Sequence, residues 1–157
     1  MATVKDILKN KSHQIFSVKS SDAVTLALQI MKEHRVRSIL VIDDHQLKGI
    51  ISLGDCAIKV TLAKKDPDAV LASEIMTAHP LIVEEEYTLE QCMSIMVAKK
   101  VRHLPVVSNQ QVVGVIYIGD LVGEMIKNQT NQISFLETYM KDYGLDTKGN
   151  SNFSFLG

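Results

Sequence analysis

Apolar and polar positions along this chain fall into blocks, and each block type occurs twice. Val4, Ile7 and Leu8 share one face of a short helical turn, as do residues from Val70 to Met76 further on. Ile15 to Val18 and Leu81 to Val83 then read as short strands. Helices follow, carrying Ala23, Ala27, Ile30 and Met31 in one block and Leu89, Cys92, Met93 and Met96 in the other. Ser21 or Asp22, and Thr88 with Gln91 three residues on, are the expected N-caps. Ser38 to Asp43 and His103 to Ser108 are predicted strands. Polar turns, Asp43-Asp44-His45-Gln46 and Ser108-Asn109-Gln110-Gln111, lead each into a second strand, Leu47 to Ser52 or Val112 to Tyr117. Those second strands are apolar enough for burial on both faces, and each runs into a helix. The unit is therefore β-α-β-β-α, and two three-stranded sheets are expected, each needing cover on its far side.

The two blocks are copies. Gly49-Ile50-Ile51-Ser52-Leu53-Gly54-Asp55 returns as Gly114-Val115-Ile116-Tyr117-Ile118-Gly119-Asp120, sixty-five residues later and without a gap. The same offset superposes Val36 on Val101, Arg37 on Arg102 and Val41 on Val106. A unit of that length is a small subdomain rather than a solenoid repeat, so two copies facing each other are expected. Each aspartate stands at the mouth of a helix. Free backbone N–H groups and the positive dipole end collect there, and the carboxylate either caps the helix or accepts hydrogen bonds from a diol.

Lys64-Lys65-Asp66-Pro67-Asp68 is a charged break with proline, the natural linker, and its shortness forces the halves together. Beyond the second copy, Ile133, Leu136, Tyr139 and Met140 have helical spacing, giving an extra amphipathic helix that either patches the module or makes a dimer contact. From Gly144 the chain is rich in Gly, Asn and Ser and reads as a mobile tail, with Phe153, Phe155 and Leu156 unusually apolar for one. The divisions expected are residues 1–65 for the first repeat with its lead-in helix, 66–71 for the linker, 72–129 for the second repeat, 130–143 for the added helix and 144–157 for the tail.

At 157 residues, 46% hydrophobic and 22% charged, the chain has ordinary globular values, and each half alone is marginal in size. A net charge of −1 gives no sign of a nucleic-acid surface. Cys56 and Cys92 have no metal-ligand spacing and sit in helix-like segments, which points to a reduced, cytoplasmic protein. No apolar run spans a bilayer and no secretory signal opens the chain. His13, His34, His45 and His79 are scattered, without a metal cluster. No nucleophile-base pair, GxxxxGK phosphate loop or paired acids are present, so an enzyme is not expected.

The duplicated motif resembles the tandem cystathionine-β-synthase (CBS) domain pair, or Bateman module, over about residues 4 to 129. Gly, two apolar residues, Ser or Thr, two residues and Asp is the family pattern, met by Gly49 to Asp55. Glu74-Ile75-Met76-Thr77 and Val101-Arg102-His103-Leu104-Pro105-Val106 are similar to its lead-in and inner strand. The resemblance is closest to small stand-alone bacterial CBS-pair proteins. The second copy departs from the pattern at Tyr117, and Gly54 stands where those bacterial proteins often have a basic residue.

The resemblance implies an α+β (mixed α/β) fold, with two β-α-β-β-α repeats packed sheet to sheet about a pseudo-twofold axis and a C-terminal helix added. It also implies two clefts that bind adenine nucleotides, with AMP foremost and ADP, ATP or NAD as candidates, and pairing into a disc-shaped homodimer. Asp55 and Asp120 would hold ribose hydroxyls, or serve only as helix caps. Ser52 would add a hydrogen bond, or simply bond to backbone at its strand end; Tyr117 would stack on a base or fill the cavity. Arg37 and Arg102 are at equivalent positions and would converge on phosphates, or remain solvated strand-edge charges. His103 would join them, or be a satisfied polar residue at the seam. Ile15, Ile39, Ile82 and Pro105 would form the adenine slot, though ordinary core is the commoner role for such residues. The expected function is a nucleotide-responsive regulatory module acting on another protein. The alternative is a dimerisation or docking module with degenerate sites.

Overall fold

A computed structural model describes residues 1–12, 14–127 and 132–142, with the side chains of 132–134 excluded. His13 and the tail with Phe153, Phe155 and Leu156 lie outside the described residues, as does the side chain of Ile133. In order come α1 (Val4–Lys9), β1 (Ser17–Val18), α2 (Val24–His34), β2 (Ser38–Asp43), β3 (Gln46–Ser52) and α3 (Leu53–Cys56), which continues as a π-helical turn over Ala57–Thr61. Then follow α4 (Ala72–Ile75), β4 (Thr77–Ala78), α5 (Leu89–Lys99), β5 (His103–Ser108), β6 (Gln111–Tyr117), α6 (Ile118–Lys127) and α7 (Gln132–Asp142).

Both expected hairpins form, and in each the tight turn places two non-glycine residues in the left-handed region. Asp44 and His45 have φ of 48° and 65°, Asn109 and Gln110 49° and 63°. Positive φ at both central residues matches the right-handed twist of the flanking strands. Even the irregularity repeats, because the register shifts between Val41 and Ile42 and again between Val106 and Val107.

The sheets are less alike than the sequence predicts. One has four strands in the order β1-β2-β3-β4 and the other only β5-β6. In the first half β1 runs parallel to β2, and β4 adds to the open edge of β3. In the second, the segment equivalent to β1 makes a single parallel bridge, Val83 to Val106. The N-caps differ too. Thr88 and Gln91 form the expected capping box on α5, whereas α2 is preceded by Ala23 and has no side-chain cap. Instead the Val24 N–H donates to the Val70 carbonyl at 2.9 Å, and Asp22 accepts from the Lys19 N–H. A backbone acceptor from the linker has taken the place of a capping side chain.

Two cores lie side by side, and each borrows from the other end of the chain. Val4, Ile7 and Leu8 of α1 pack not in the first half but among Met93, Met96, Leu104 and Ile116 of the second. Val70, Ala72 and Ile75, just before the second repeat, pack among Met31, Ile39, Val41 and Ile51 of the first. Backbone bonds fasten the exchange: Val4 N–H to the Tyr87 carbonyl at 2.8 Å, and Ala72 N–H to the Asp22 carbonyl at 2.7 Å. Buried apolar contacts thus tie the halves together wherever the lead-in segments cross. Helix α7 lays Phe135 and Tyr139 against the second core, so among the described residues it patches the module.

Candidate functional site

The first motif closes β3 and opens α3. Ser52 and Asp55 form a reciprocal cap: the Ser52 N–H and hydroxyl both donate to Asp55 Oδ2, at 2.9 and 3.0 Å, and the Asp55 N–H donates to Ser52 Oγ at 3.1 Å. This fixes the carboxylate at the helix mouth, as serine and aspartate three apart do. Its other oxygen meets Lys59 Nζ at 3.0 Å, and the same ammonium donates to the Ile75 carbonyl at 2.9 Å. The carboxylate side chain is 18% exposed, so it is aimed rather than free, with lone pairs left for a further donor.

The second motif is built differently because a phenol replaces the serine. The Tyr117 N–H still donates to Asp120 Oδ2, at 2.8 Å. The tyrosine side chain, however, lines the cleft together with Ser38 of the other half. A lysine from the end of α1 fills the space: Lys11 Nζ lies 2.7 Å from Asp120 Oδ2 and donates to the Val115 carbonyl at 3.0 Å. It sits 4.4 Å above the centre of the Tyr117 ring, a cation–π contact. Burial raises the Tyr117 phenol above its usual range, and the Asp120 charge adds to this while Ser38 opposes it.

A cleft of about 900 Å³ opens between the halves, and it gathers Ser52, Asp55, Arg37, Arg102, His103, Pro105 and Tyr117. That volume lies in the range of small-molecule sites. Burial lowers the His103 pKa, with the nearby Asp55 charge pulling the other way, so the imidazole is held towards its neutral form.

Asp120, Ile15, Ile39 and Ile82 do not line this cleft. Ile39 is 2% exposed inside the first core. The reason is strand register: Leu104 and Val106 point into the second core, so Pro105 between them faces the cleft, whereas Ile39 superposes on Leu104. Ile39 and Pro105 therefore lie on opposite faces of their strands, since one position along a strand reverses the side. Ile82 is 47% exposed; its neighbour Leu81 supplies the apolar wall instead.

Several lining residues were not read from the sequence, chief among them Arg35 and Lys100. The 65-residue offset relates them just as it relates Arg37 and Arg102, and that signal was available. His79, scattered from the other histidines in sequence, also lines the cleft. Among the described residues no three His, Cys, Asp or Glu side chains come together as metal ligands. No helix among them is long and apolar enough to cross a membrane.

Comparison with known proteins agrees with the fold. The family model for the CBS domain matches residues 3–60 and again 72–127. A solved structure of a protein with CBS domains from Burkholderia ambifaria MC40-6 is 36% identical, covers 84% of this chain and 99% of its own, and superposes with a TM-score of 0.78. The CBS domain-containing protein YhcV of Bacillus subtilis is 28% identical over 130 residues, which are 83% of this chain and 90% of that protein. A CBS-domain pair solved with 5′-methylthioadenosine and S-adenosyl-L-methionine shares the fold at 24% identity, covering 82% of this chain and 99% of its own, with a TM-score of 0.72.

Proposed function

Since the chain belongs to the CBS-domain family, with one domain in each half, we propose that it binds an adenine nucleotide in the cleft at Asp55 and passes the occupied state to a protein partner. CBS pairs are regulatory, signal-transducing modules, and the ligand assigned here is AMP, ADP, ATP or NAD. One observation carries the assignment: a carboxylate fixed at a helix mouth shares a cleft with arginines from both halves and an apolar wall at Leu81 and Pro105. A ribose diol, a phosphate arm and a flat base each find matching chemistry there. A fold neighbour holds two adenosine-bearing molecules; at that identity the likeness is one of fold, and the ligand class is drawn from this chain's own residues.

The mechanism is a population shift. A ligand held by Asp55 in the first half and by Arg102 and His103 in the second favours one relative orientation of the halves, by its differential affinity for that state. The output is an altered surface for a regulated protein, with the module acting as a homodimer in the cytoplasm. Both cysteines are free and buried, as suits a reducing compartment.

Lys11 on Asp120 favours a second reading, a docking module whose motifs are filled by its own lysines. A thermal-shift panel of AMP, ADP, ATP, NAD, S-adenosylmethionine and GTP separates the two. A ligand at a hundred times its Kd adds roughly 2.7 kcal/mol. Stabilisation confined to adenosine ligands, and weakened about tenfold or more in affinity by Asp55→Ala, is expected. No shift with any of them at millimolar concentration would leave the docking reading in place.

A further inference from the structure

Arg35 ends α2 and Lys100 ends α5, both as left-handed caps with φ of 55° and 54°. At each cap the chain turns out of its helix and runs two residues further to Arg37 or Arg102, at the edge of β2 or β5. All four cations line the one cleft, a pair from each half, in positions related by the repeat. Against them, among the described lining residues, stands a single carboxylate, Asp55, whose Oδ1 already has Lys59. The chain as a whole carries a net charge of −1, so this is a local concentration and not a reflection of general basicity.

A basic residue at a helix C-terminus complements the dipole, and that alone explains an isolated Arg35 or Lys100. It does not explain Arg37 and Arg102, which lie beyond the helices, nor the meeting of both pairs in one cavity. Like charges gathered in one cleft repel, and an anion placed among them relieves the repulsion in proportion to its own charge. A monophosphate carries about −1.5 to −2 at neutral pH, less than the charge of the four cations; each added phosphoryl unit brings the ligand closer to balancing them.

Resting on the nucleotide reading, we propose that Arg35 and Arg37 from one half and Lys100 and Arg102 from the other clasp a phosphate chain across the seam, so that the cleft selects nucleoside triphosphates over monophosphates. The clasp also makes phosphate number the quantity sensed, because each added phosphoryl group brings more negative charge to the cations that both halves place in the cleft.

Isothermal titration of the full chain, in EDTA, with AMP, ATP and inorganic tripolyphosphate tests this. ATP is expected to bind about tenfold or more tightly than AMP, and tripolyphosphate is expected to bind and to compete with ATP. In the double variant Arg35→Gln, Lys100→Gln, both at exposed caps, the ATP advantage should fall to a few fold while AMP affinity holds. The single variants, each judged folded by its circular dichroism, should fall between. AMP binding as tightly as ATP would overturn the clasp and leave the nucleotide assignment standing. Tripolyphosphate binding with no nucleotide bound would uphold the clasp and overturn the adenine assignment. No binding by any of the three would overturn both.

Discussion

Lys11 and Asp120, more than a hundred residues apart in sequence, meet at 2.7 Å as a half-buried ion pair whose ammonium lies over the Tyr117 ring. The lysine follows α1, whose apolar face is already committed to the second core, so the pair locks the end of the exchanged segment onto the second motif. Lys11→Met keeps the stem and removes the ammonium. It should lower stability by about 1 kcal/mol, read as a urea midpoint shift at unchanged slope. A double-mutant cycle with Asp120→Asn should return a coupling of similar size; additive losses would show that the two side chains act independently.

The leading glycines of the two motifs sit in unequal surroundings. A Cβ on Gly49 would lie 2.8 Å from the Thr77 carbonyl oxygen and 2.6 Å from the Met76 sulfur; on Gly114 it would meet the Leu8 Cδ2 at 2.6 Å. Backbone of a paired strand cannot yield as a leucine tip can. Gly49→Ala should therefore cost about 2 kcal/mol or more by overpacking, and Gly114→Ala less than half of that. Denaturant titration of both variants decides it, and equal losses would refute the distinction.

Acid should weaken the fold partly through His103. Its pKa is lowered in the folded state, first by burial and against the pull of Asp55, so the unfolded chain binds the proton more readily. Stability therefore rises with pH between the lowered folded value and the ordinary 6.5, and is fully present above the latter. His103→Gln should flatten that part of the stability profile; an unchanged slope would assign the titration elsewhere.

Much of this architecture was legible because its signals are local. Thr88 and Gln91 announce a helix start, two polar residues between apolar runs announce each hairpin, and the glycine and aspartate spacing announces both motifs. What escaped depends on the third dimension. Nothing near α1 in sequence says that it completes the other half, since its apolar face would suit either core. Ile39 and Pro105 both lie on inner strands, yet a single step of register puts one in the core and the other on the cleft wall. Nor does anything local connect Lys11 with Asp120, which only the fold brings within 2.7 Å. For the cleft itself, Arg37 and Arg102 were found through the repeat, and the same comparison two positions earlier would have yielded Arg35 and Lys100.

The crossing of α1 and α4 between the cores bears on how such a chain can be divided. A cut in the linker would give two fragments each holding a piece of the other's interior, and neither would close its own apolar surface. A protein made of one repeat, keeping the same contacts, would have to draw its lead-in helix from a second molecule and so would exist as a swapped dimer. Joining two repeats in one polypeptide turns that concentration-dependent assembly into an intramolecular one.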